Sequence, residues 1–356
     1  MSNASFAPRW VSSPGNTITE ALERKGVSVR EFARDLGTSE KDARSLLNGV
    51  LTINMDLAQN LARVIGSTPA FWIRREHLYR QEVERLIEPG QRWLDDLPLS
   101  DMMRLGWIPR VTSAADRVSA CLDFFDVSDV ANWHKKYNNT LNRIAFKTSN
   151  SFDSNPGAVT AWIRRAEILA EDLECSEWNE AKFLETLQEI RELTRLKSPS
   201  DFIPELQRRC AAAGVAVVVT RAPTGCRASG ATKFLGSGNP LILLSFRHLS
   251  EDHFWFAFFH EAGHVVLHGK NGLFVEGAGT VSTPNESEAN AFAEKTLIPD
   301  KYQSELVSLT LNKLAIARFA RKVGVSAGVV VGQLQHRGII AHSRLNFLKR
   351  RFRWTI

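Results

Sequence analysis

The stretch His260-Glu261-Ala262-Gly263-His264 decides the fold of the C-terminal half of this chain. It spells H-E-x-x-H, in which two imidazoles stand one helical turn apart with a carboxylate between them. Residues i and i+4 of an α-helix share a face, so both rings can reach one metal ion. Glu261 lies on a neighbouring face, from which it could take a proton from a water molecule at that ion. The pattern indicates zinc-dependent peptide hydrolysis.

The residues around this motif predict a buried helix from His253 to His268. Its other side chains are apolar on nearly every face: Phe254, Trp255, Phe256, Phe258, Phe259, Val265, Val266 and Leu267. A helix with such a surface is buried. A charged glutamate inside it would destabilise the fold by several kcal/mol unless a cation or a hydrogen-bond donor compensates its charge. A divalent ion provides that cation. The alternative is two core histidines with satisfied hydrogen bonds beside a coincidental glutamate.

A third ligand is expected because a catalytic zinc ion takes three protein ligands and keeps a fourth position for water. His268 lies about 12 Å along the axis from the first histidine of the motif, too far for zinc–nitrogen bonds of about 2.1 Å. A second helix is predicted from Glu286 to Ala293, and Glu286 shares a face with small alanines that permit close packing. We predict Glu286 as the ligand, Glu288 as its alternative, and Asn290 as the residue that orients a ligating imidazole.

The predicted mechanism uses the three ligands to hold zinc, which lowers the pKa of its water toward about 7. Glu261 accepts that proton as the water attacks the scissile carbonyl, and then delivers it to the leaving amine. A donor to the oxyanion is also expected. His253 and His336 are the candidates, and a surface or packing role is the alternative for both.

The segment before the motif helix predicts a small sheet with a Gly-rich loop. The predicted strands span residues 214–220 and 241–245. A substrate peptide is expected to add to an edge strand near Arg227–Phe234. Cys226 stands in the same loop, and its thiolate could take the water position of the zinc ion and inhibit the enzyme. A small residue in a turn is the alternative for this cysteine.

The N-terminal segment, residues 14–80, reads as a bundle of short helices. Ser28 begins one helix with a capping box, and Gly37 ends it before Ser39 begins the next. Two helices joined by a Gly-containing turn at this spacing predict a helix-turn-helix. The predicted helices span residues 17–25, 28–36, 39–48, 54–65 and 69–77.

The third of these helices could bind DNA. It presents Lys41, Arg44 and Ser45 to a major groove, although Glu40 and Asp42 would repel phosphates unless they read cytosine amines. One such module per chain needs a homodimer to read two half-sites. The alternative is a dimerisation or substrate-docking module that binds no DNA.

The C-terminal end of the chain is basic. The six basic residues from Arg337 to Arg353 stand with no acidic one among them. Aromatic residues interrupt this run, which suits nucleic acid, and we expect Lys349, Arg350 and Arg351 to bind it. The alternative is a tail whose aromatic rings dock on the rest of the domain.

The chain of 356 residues is 44% hydrophobic and long enough for about two or three domains. We predict an α+β protein in four parts: a helix-turn-helix bundle at residues 14–80, a helical connector at 81–203, a zincin-like metallopeptidase domain at 204–336 and a basic tail at 337–356. No apolar run approaches the roughly 18 residues of a membrane span, and no secretory leader is evident. Four cysteines form no paired framework, so a cytoplasmic protein is expected.

Three stretches of the N-terminal segment carry a family resemblance: Ser28-Val29-Arg30-Glu31-Phe32-Ala33-Arg34-Asp35-Leu36-Gly37, Ser45-Leu46-Leu47-Asn48-Gly49 and Gly66-Ser67-Thr68-Pro69-Ala70-Phe71-Trp72. They resemble the XRE helix-turn-helix family in its HigA antitoxin subgroup.

Three stretches of the C-terminal segment carry another: Phe258-Phe259-His260-Glu261-Ala262-Gly263-His264-Val265-Val266-Leu267-His268, Glu286-Ser287-Glu288-Ala289-Asn290-Ala291-Phe292-Ala293 and Leu297-Ile298-Pro299. They resemble the ImmA/IrrE metallopeptidases. An XRE module before such a domain is similar to the CapP peptidases of phage-defence regulatory pairs.

These resemblances imply a function. ImmA/IrrE members are intracellular zinc peptidases that cleave a partner repressor and so release its genes, and single-stranded DNA stimulates CapP. Zn²⁺ is then the cofactor, a small transcriptional repressor the protein substrate, and DNA, single-stranded or duplex, a partner. The alternative is a DNA-binding regulator or antitoxin whose peptidase fold is only a sensor.

Overall fold

The computed structural model describes residues 13–49, 51–138, 154–269, 273–277 and 283–353. These residues fall into two compact units, within Met1–Asn138 and Asn139–Ile356. Both units are mainly helical and the second contains a four-stranded mixed sheet, so the predicted α+β class is confirmed. In the described ranges no helix has the length and the apolar character that a membrane crossing requires. The residue ranges of the four predicted parts stay a prediction.

The first unit is built of helices. They are α1 (Pro14–Lys25), α2 (Val29–Leu36), α3 (Glu40–Leu47), α4 (Met55–Val64), α5 (Pro69–Asp95), α6 (Leu99–Arg104) and α7 (Ala114–Phe125). The predicted end of the fifth helix at His77 was wrong, because α5 continues for 27 residues to Asp95. No glycine or proline interrupts the sequence from His77 to Glu88, and most of it consists of good helix formers. Helix α5 therefore continues past residue 80, the predicted end of the helix-turn-helix bundle.

Side-chain caps fix the helix-turn-helix. Ser28 N donates to Glu31 Oε2 at 3.0 Å, and Glu31 N donates to Ser28 Oγ at 3.3 Å, so the predicted capping box is present. Gly37 takes a left-handed conformation, with φ of 75°, that ends α2. Ser39 then caps α3 through Asp42 N. These local bonds fix where α2 begins and ends and where α3 begins.

The first helix begins earlier than predicted. Ser13, not Thr17, is its cap, because Pro14 occupies the first helical turn and the Ser13 hydroxyl accepts from Asn16 N at 3.2 Å. The small core of this region consists of Ile18, Leu22, Phe32, Ala33, Leu36, Ala43, Leu46, Ile53, Ala58, Leu61 and Trp72. Leu47 is only partly buried against it.

The second unit combines helices with the sheet. Its helices are α8 (Pro156–Glu171), α9 (Glu180–Leu193), α10 (Pro199–Ala212), α11 (Glu251–His268), α12 (Pro284–Leu297), α13 (Gln303–Val307), α14 (Lys313–Val323) and α15 (Ala327–His336), with short 3-10 turns at Asp300–Tyr302 and Asn346–Leu348. Its strands are β1 (Ala216–Val219), β2 (Ala228–Phe234), β3 (Pro240–Leu244) and β4 (Phe274–Gly277). The motif helix is α11.

Strand β2 lies inside the sheet. The strand order is β1-β3-β2-β4, with β1 parallel to β3 and β2 antiparallel to both β3 and β4. The predicted edge strand at Arg227–Phe234 was therefore wrong, because β2 is hydrogen-bonded on both sides. Among the described strands, the edges are β1 and β4. The four residues of β4 are too few to show a strand pattern in the sequence.

The motif helix packs closely against α12. A Cβ atom at Gly263 would lie 3.2 Å from Ala289 Cα and 3.2 Å from Phe292 Cβ, so only a glycine permits this approach without displacement. Ala289 and Ala293 are fully buried in the same contact. The small residues predicted to bring the two helices together therefore do so, and they place the side chains of both helices in one cluster.

The C-terminal segment docks on this unit, in agreement with the alternative to a nucleic-acid-binding tail, and nucleic-acid binding by Lys349, Arg350 and Arg351 stays a prediction. Lys349 is 6% exposed and bonded to Asp252, and Arg350 lies 3.2 Å from Glu251. Phe352 is 5% exposed in the core. Arg351 is exposed, and Trp354, an aromatic residue directly after the basic run, lies outside the described residues.

Candidate metal centre

Two helices bring the predicted ligands together. His260 and His264 project from the motif helix, and Glu286 projects from the first turn of α12. One ligand atom of each lies within 4.8 Å of the other two, and no second group of this kind occurs among the described His, Cys, Asp and Glu residues. Glu286 Oε2 is 3.1 Å from His260 Nε2 and 3.5 Å from His264 Nε2. Both imidazoles are 1% exposed.

The donor set and its spacing fit a zinc ion. Two imidazole nitrogens and one carboxylate oxygen are a typical ligand set of catalytic zinc. Two ligands about 2.1 Å from one ion at a tetrahedral angle are about 3.4 Å apart. The two imidazole Nε2 atoms are 3.1 Å apart and the carboxylate oxygen lies at 3.1 and 3.5 Å from them. Such crowding of electron-rich atoms is favourable when a cation lies between them.

Asn290 orients the first imidazole. Its side-chain oxygen lies 2.9 Å from His260 Nδ1, and an amide oxygen only accepts. His260 Nδ1 therefore carries the hydrogen, and Nε2 presents its lone pair to Glu286. The structure places this asparagine one turn after Glu286, where the sequence predicted an orienting residue.

His268 and Glu288 orient the second imidazole. His264 Nδ1 is 3.0 Å from His268 Nδ1, and His268 Nε2 is 3.0 Å from Glu288 Oε2. A carboxylate accepts, so His268 donates through Nε2, accepts through Nδ1 and leaves His264 Nε2 free to bind a metal. Burial lowers the pKa of His264, which favours the neutral ligand form. Glu288 thus lies outside the cluster, and the role of His268 was missed, although its spacing of four residues from His264 was a signal.

Strand β2 holds the carboxylate of the motif. Glu261 is completely buried, and Thr232 Oγ1 donates to its Oε2 at 2.6 Å. A Cβ atom at Gly230 would lie 2.5 Å from Glu261 Oε1, so this glycine makes room for the side chain. Thr232 could not be expected at the site from the sequence, because the threonine and Glu261 are 29 residues apart.

The edge strand β4 borders the same cluster. The Phe274 ring is stacked on the His264 ring, with centroids 4.3 Å apart and an interplanar angle of 13°. Phe274 pairs with Thr232 in the β2–β4 register. An aromatic wall and an edge strand therefore lie beside the second histidine.

Cys226 does not belong to this cluster. Among the described ligand-type side chains, only the two histidines and the glutamate meet there. Cys226 is 8% exposed, and burial raises the pKa of its thiol to about 12. Cys226 thus stands outside the group of ligand-type atoms, and the predicted inhibitory latch stays a prediction. The alternative, a small residue in a loop, agrees with the bond from Cys226 N to Pro223 O.

The residues predicted to contact DNA lie on α3. Lys41 is exposed, Arg44 is ion-paired with Glu40 at 2.6 Å, and the Ser45 hydroxyl donates to Lys41 O. The pair has side-chain exposures of 61% and 48%, so the guanidinium can exchange its partner. Duplex binding by this helix stays a prediction.

Comparison with known proteins supports both ends of the chain. Residues 212–335 match the IrrE N-terminal-like domain family, Peptidase_M78, and this range contains the whole metal cluster. The chain is also similar to the uncharacterized HTH-type transcriptional regulator YddM of Escherichia coli (strain K12), with 34% identity over 76 residues, which are 21% of this chain and 81% of that protein. The chain therefore joins a segment that is similar to an HTH-type transcriptional regulator to a domain that matches the Peptidase_M78 family.

Proposed function

We propose that this protein is a zinc-dependent endopeptidase that cleaves a transcriptional repressor and thereby derepresses stress or phage-defence genes. The observation that carries the proposal is the cluster of His260, His264 and Glu286 beside the buried Glu261. A structural zinc site takes four protein ligands, whereas three leave a position for water. The Peptidase_M78 match over the same residues supports peptide hydrolysis as the reaction.

The chain's own residues account for proton transfer. Zinc, when bound, polarises a carbonyl oxygen and acidifies a water molecule. Glu261 accepts the proton of the attacking water at a carboxylate oxygen and delivers it to the leaving amine nitrogen. The Thr232 hydroxyl holds one oxygen of this carboxylate at 2.6 Å. Asn290 and His268 fix the tautomers of the two imidazoles.

The substrate is expected along β4. This strand has one side free of described neighbours, and it borders His264 through Phe274. An extended peptide that added to β4 would form main-chain hydrogen bonds and pass the metal ligands. The edge strand β4, and not the interior strand β2 at Arg227–Phe234, is therefore the expected docking strand for the substrate.

The helix-turn-helix segment supports a repressor as the substrate and DNA as the stimulus. YddM is named as an HTH-type transcriptional regulator, and the resemblance to CapP adds single-stranded DNA as the trigger. Lys41, Arg44 and Ser45 would contact duplex DNA in a homodimer. The four cysteines are free thiols, which supports a cytoplasmic location.

The alternative function is a DNA-binding regulator whose peptidase domain only senses a signal. The experiment uses the full chain loaded with zinc, the repressor encoded next to its gene, and single-stranded DNA. Glu261→Gln should reduce cleavage by about 1,000-fold, because it removes the general base, while zinc still binds. The exposed Glu185→Gln is the matched control and should cleave normally.

Two results would contradict the proposed function. One is cleavage by Glu261→Gln at the rate of the unchanged chain. The other is operator binding by the unchanged chain with no cleavage of the repressor under any condition, which would favour the alternative.

A further inference from the structure

An open cavity lies within the first unit, between the helix-turn-helix bundle and helix α7. Its volume is about 340 Å³, which is within the roughly 300–1,000 Å³ of sites for small molecules. Its described lining comes from the beginning of α1, the end of α3, helix α5, the segment at residues 107–111 and helix α7. We name this space the Asp123 cavity. It is separate from the metal centre, which belongs to the second unit.

One face of α7 places two aspartates along this cavity. Asp116, Ser119, Ala120 and Asp123 all line it, and their spacing puts them on one side of the helix. The two aspartates are about 10 Å apart along the helix axis, since each residue adds about 1.5 Å. Only small side chains stand between them on this face, so a ligand can extend from one carboxylate towards the other.

The cavity has no cation of its own. The Tyr79 hydroxyl, a neutral group, donates to the Asp116 carboxylate at 3.0 Å. Arg80 lies over the Tyr79 ring, but its own partner is Glu76 at 2.7 Å. Asp123 is exposed, and no ion pair or hydrogen bond of its carboxylate is seen within the described ranges. None of the described lining residues is Lys, Arg or His, so a cationic ligand would complement this lining.

The rest of the lining suits a ligand with an apolar body. Trp107 and Phe124 both line the cavity, and their rings are stacked, with centroids 6.1 Å apart and an interplanar angle of 4°. Aromatic faces attract ammonium groups through cation–π interactions. Aliphatic side chains complete the wall, and methylene groups are favourably buried against them: Leu47, Ile108, Pro109 and Val111.

We propose that the Asp123 cavity binds a linear aliphatic polyamine, with one ammonium group toward each of its two aspartates and the methylene chain along the apolar wall. The whole chain carries a net charge of +6, so a polycation is bound only where the local charge is negative. A monoamine meets one carboxylate, and a short diamine does not span two helical turns. This site lies outside the peptidase domain and does not depend on its activity.

Calorimetric titration of the full chain with three amines tests the proposal, because the amines separate length from charge. Octamethylenediamine has the chain length of spermidine and two ammonium groups, putrescine has two on a shorter chain, and octylamine has one on the long chain. Octamethylenediamine should bind at least about tenfold more tightly than either of the others, because only its two charges reach both carboxylates at once. Equal affinities for the three amines would overturn the proposal.

Two variants separate a cavity site from attraction to surface acids. Ala120→Phe keeps both carboxylates but fills the space between them, so it should abolish binding of the long diamine. Asp123→Asn should lower the affinity for that diamine to the level of octylamine, and it decides the test if Ala120→Phe does not fold, because Asp123 is exposed. Asp56→Asn, at an exposed aspartate of the same unit outside the cavity, is the matched control and should bind normally. Unchanged affinity in Asp123→Asn, or in a folded Ala120→Phe, would contradict the site.

Discussion

The motif helix carries buried acidic groups at two places, and they are neutralised in different ways. At its N-terminal end Glu251 and Asp252 meet cations of the same chain. Arg350 Nη1 lies 3.2 Å from Glu251 Oε2, and Lys349 Nζ lies 2.5 Å from Asp252 Oδ2. Because each carboxylate there lies beside a cation of the same chain, the role of this end of the helix is structural.

The middle of the same helix is different. Glu261 accepts a hydrogen bond from the neutral hydroxyl of Thr232, and Glu286 of α12 faces the imidazoles of His260 and His264. Two imidazole nitrogens and a carboxylate oxygen crowd together there, so a divalent cation is their natural complement. The N-terminal end and the middle of the motif helix both contain buried carboxylates. The groups around a carboxylate, and not its burial, therefore distinguish a structural acid from an acid at a metal site.

The largest effect is expected for Glu286→Gln. If a zinc site is worth about 10 kcal/mol, the loss of one of three ligands costs about 3–4 kcal/mol, or a factor on the order of 1,000 in affinity. Competition with a chromophoric chelator measures the affinity. Zinc should also raise the melting temperature of the unchanged chain, because it binds only the folded state. Removal of zinc with EDTA should reverse the rise, and Glu286→Gln should show none. Equal zinc affinity of Glu286→Gln and the unchanged chain would contradict a metal site at the middle of the motif helix.

Lys349→Met should destabilise the second unit by about 3 kcal/mol, because it leaves the Asp252 carboxylate buried without its cation. Urea unfolding at pH 7 measures the loss. The exposed pair Lys322–Glu305, with side-chain exposures of 55% and 42%, provides the control: Lys322→Met should cost less than about 1 kcal/mol. Equal losses for the two variants would contradict the structural role of the buried pair.

The pH dependence gives a sharper test of Lys349→Met. Burial raises the pKa of Asp252, but bonds from Lys349 and Ser250 outweigh it, and the pKa lies below 3.8. That group stabilises the unchanged chain above pH 3.8 and loses this contribution as the pH falls through its folded pKa. Without Lys349 the folded pKa rises above 3.8, so the folded variant binds the proton more readily than its unfolded form. The difference in free energy of unfolding between the unchanged chain and Lys349→Met should therefore shrink from pH 7 to pH 4. A constant difference would contradict the role of Lys349 in keeping Asp252 ionised.

A smaller effect is expected for His268. His268→Ala and Glu288→Gln should each lower zinc affinity by about 10- to 100-fold, because they release the orientation of His264. His268→Asn should keep most of the affinity, since its side-chain oxygen can still accept from His264 Nδ1. Leu267→Ala, at an exposed neighbour, is the matched control. The cobalt(II) absorption spectrum should change in the Ala variant and not in the control; an unchanged spectrum and affinity would contradict the relay.

Residues related by helical periodicity could be predicted from the sequence. His260, Glu261 and His264 follow from a spacing within one turn, and Glu286 and Asn290 from one face of a second helix. The capping box of Ser28 and the fold class were predictable for the same reason, since each depends on neighbours a few residues away. The structure brings together the side chains that this local reasoning selected as metal ligands.

Contacts between distant segments were not predictable in the same way. Thr232 and Glu261 are 29 residues apart, and Lys349 and Asp252 are 97 apart. The place of β2 inside the sheet depends on its pairing with β4, which is four residues long. No periodicity in the chain encodes such partners, because strand order and docking depend on the packing of the whole unit.

By itself, the sequence determined the helices, their caps and the set of side chains that can hold a metal ion, because these depend on residues within a few turns of one helix. Only the tertiary structure decided which carboxylates have a cation and which edge strand borders the site. It also decided that the basic C-terminal segment is part of the core. A charge acquires its role from the groups that surround it after folding, and those groups come from remote parts of the chain.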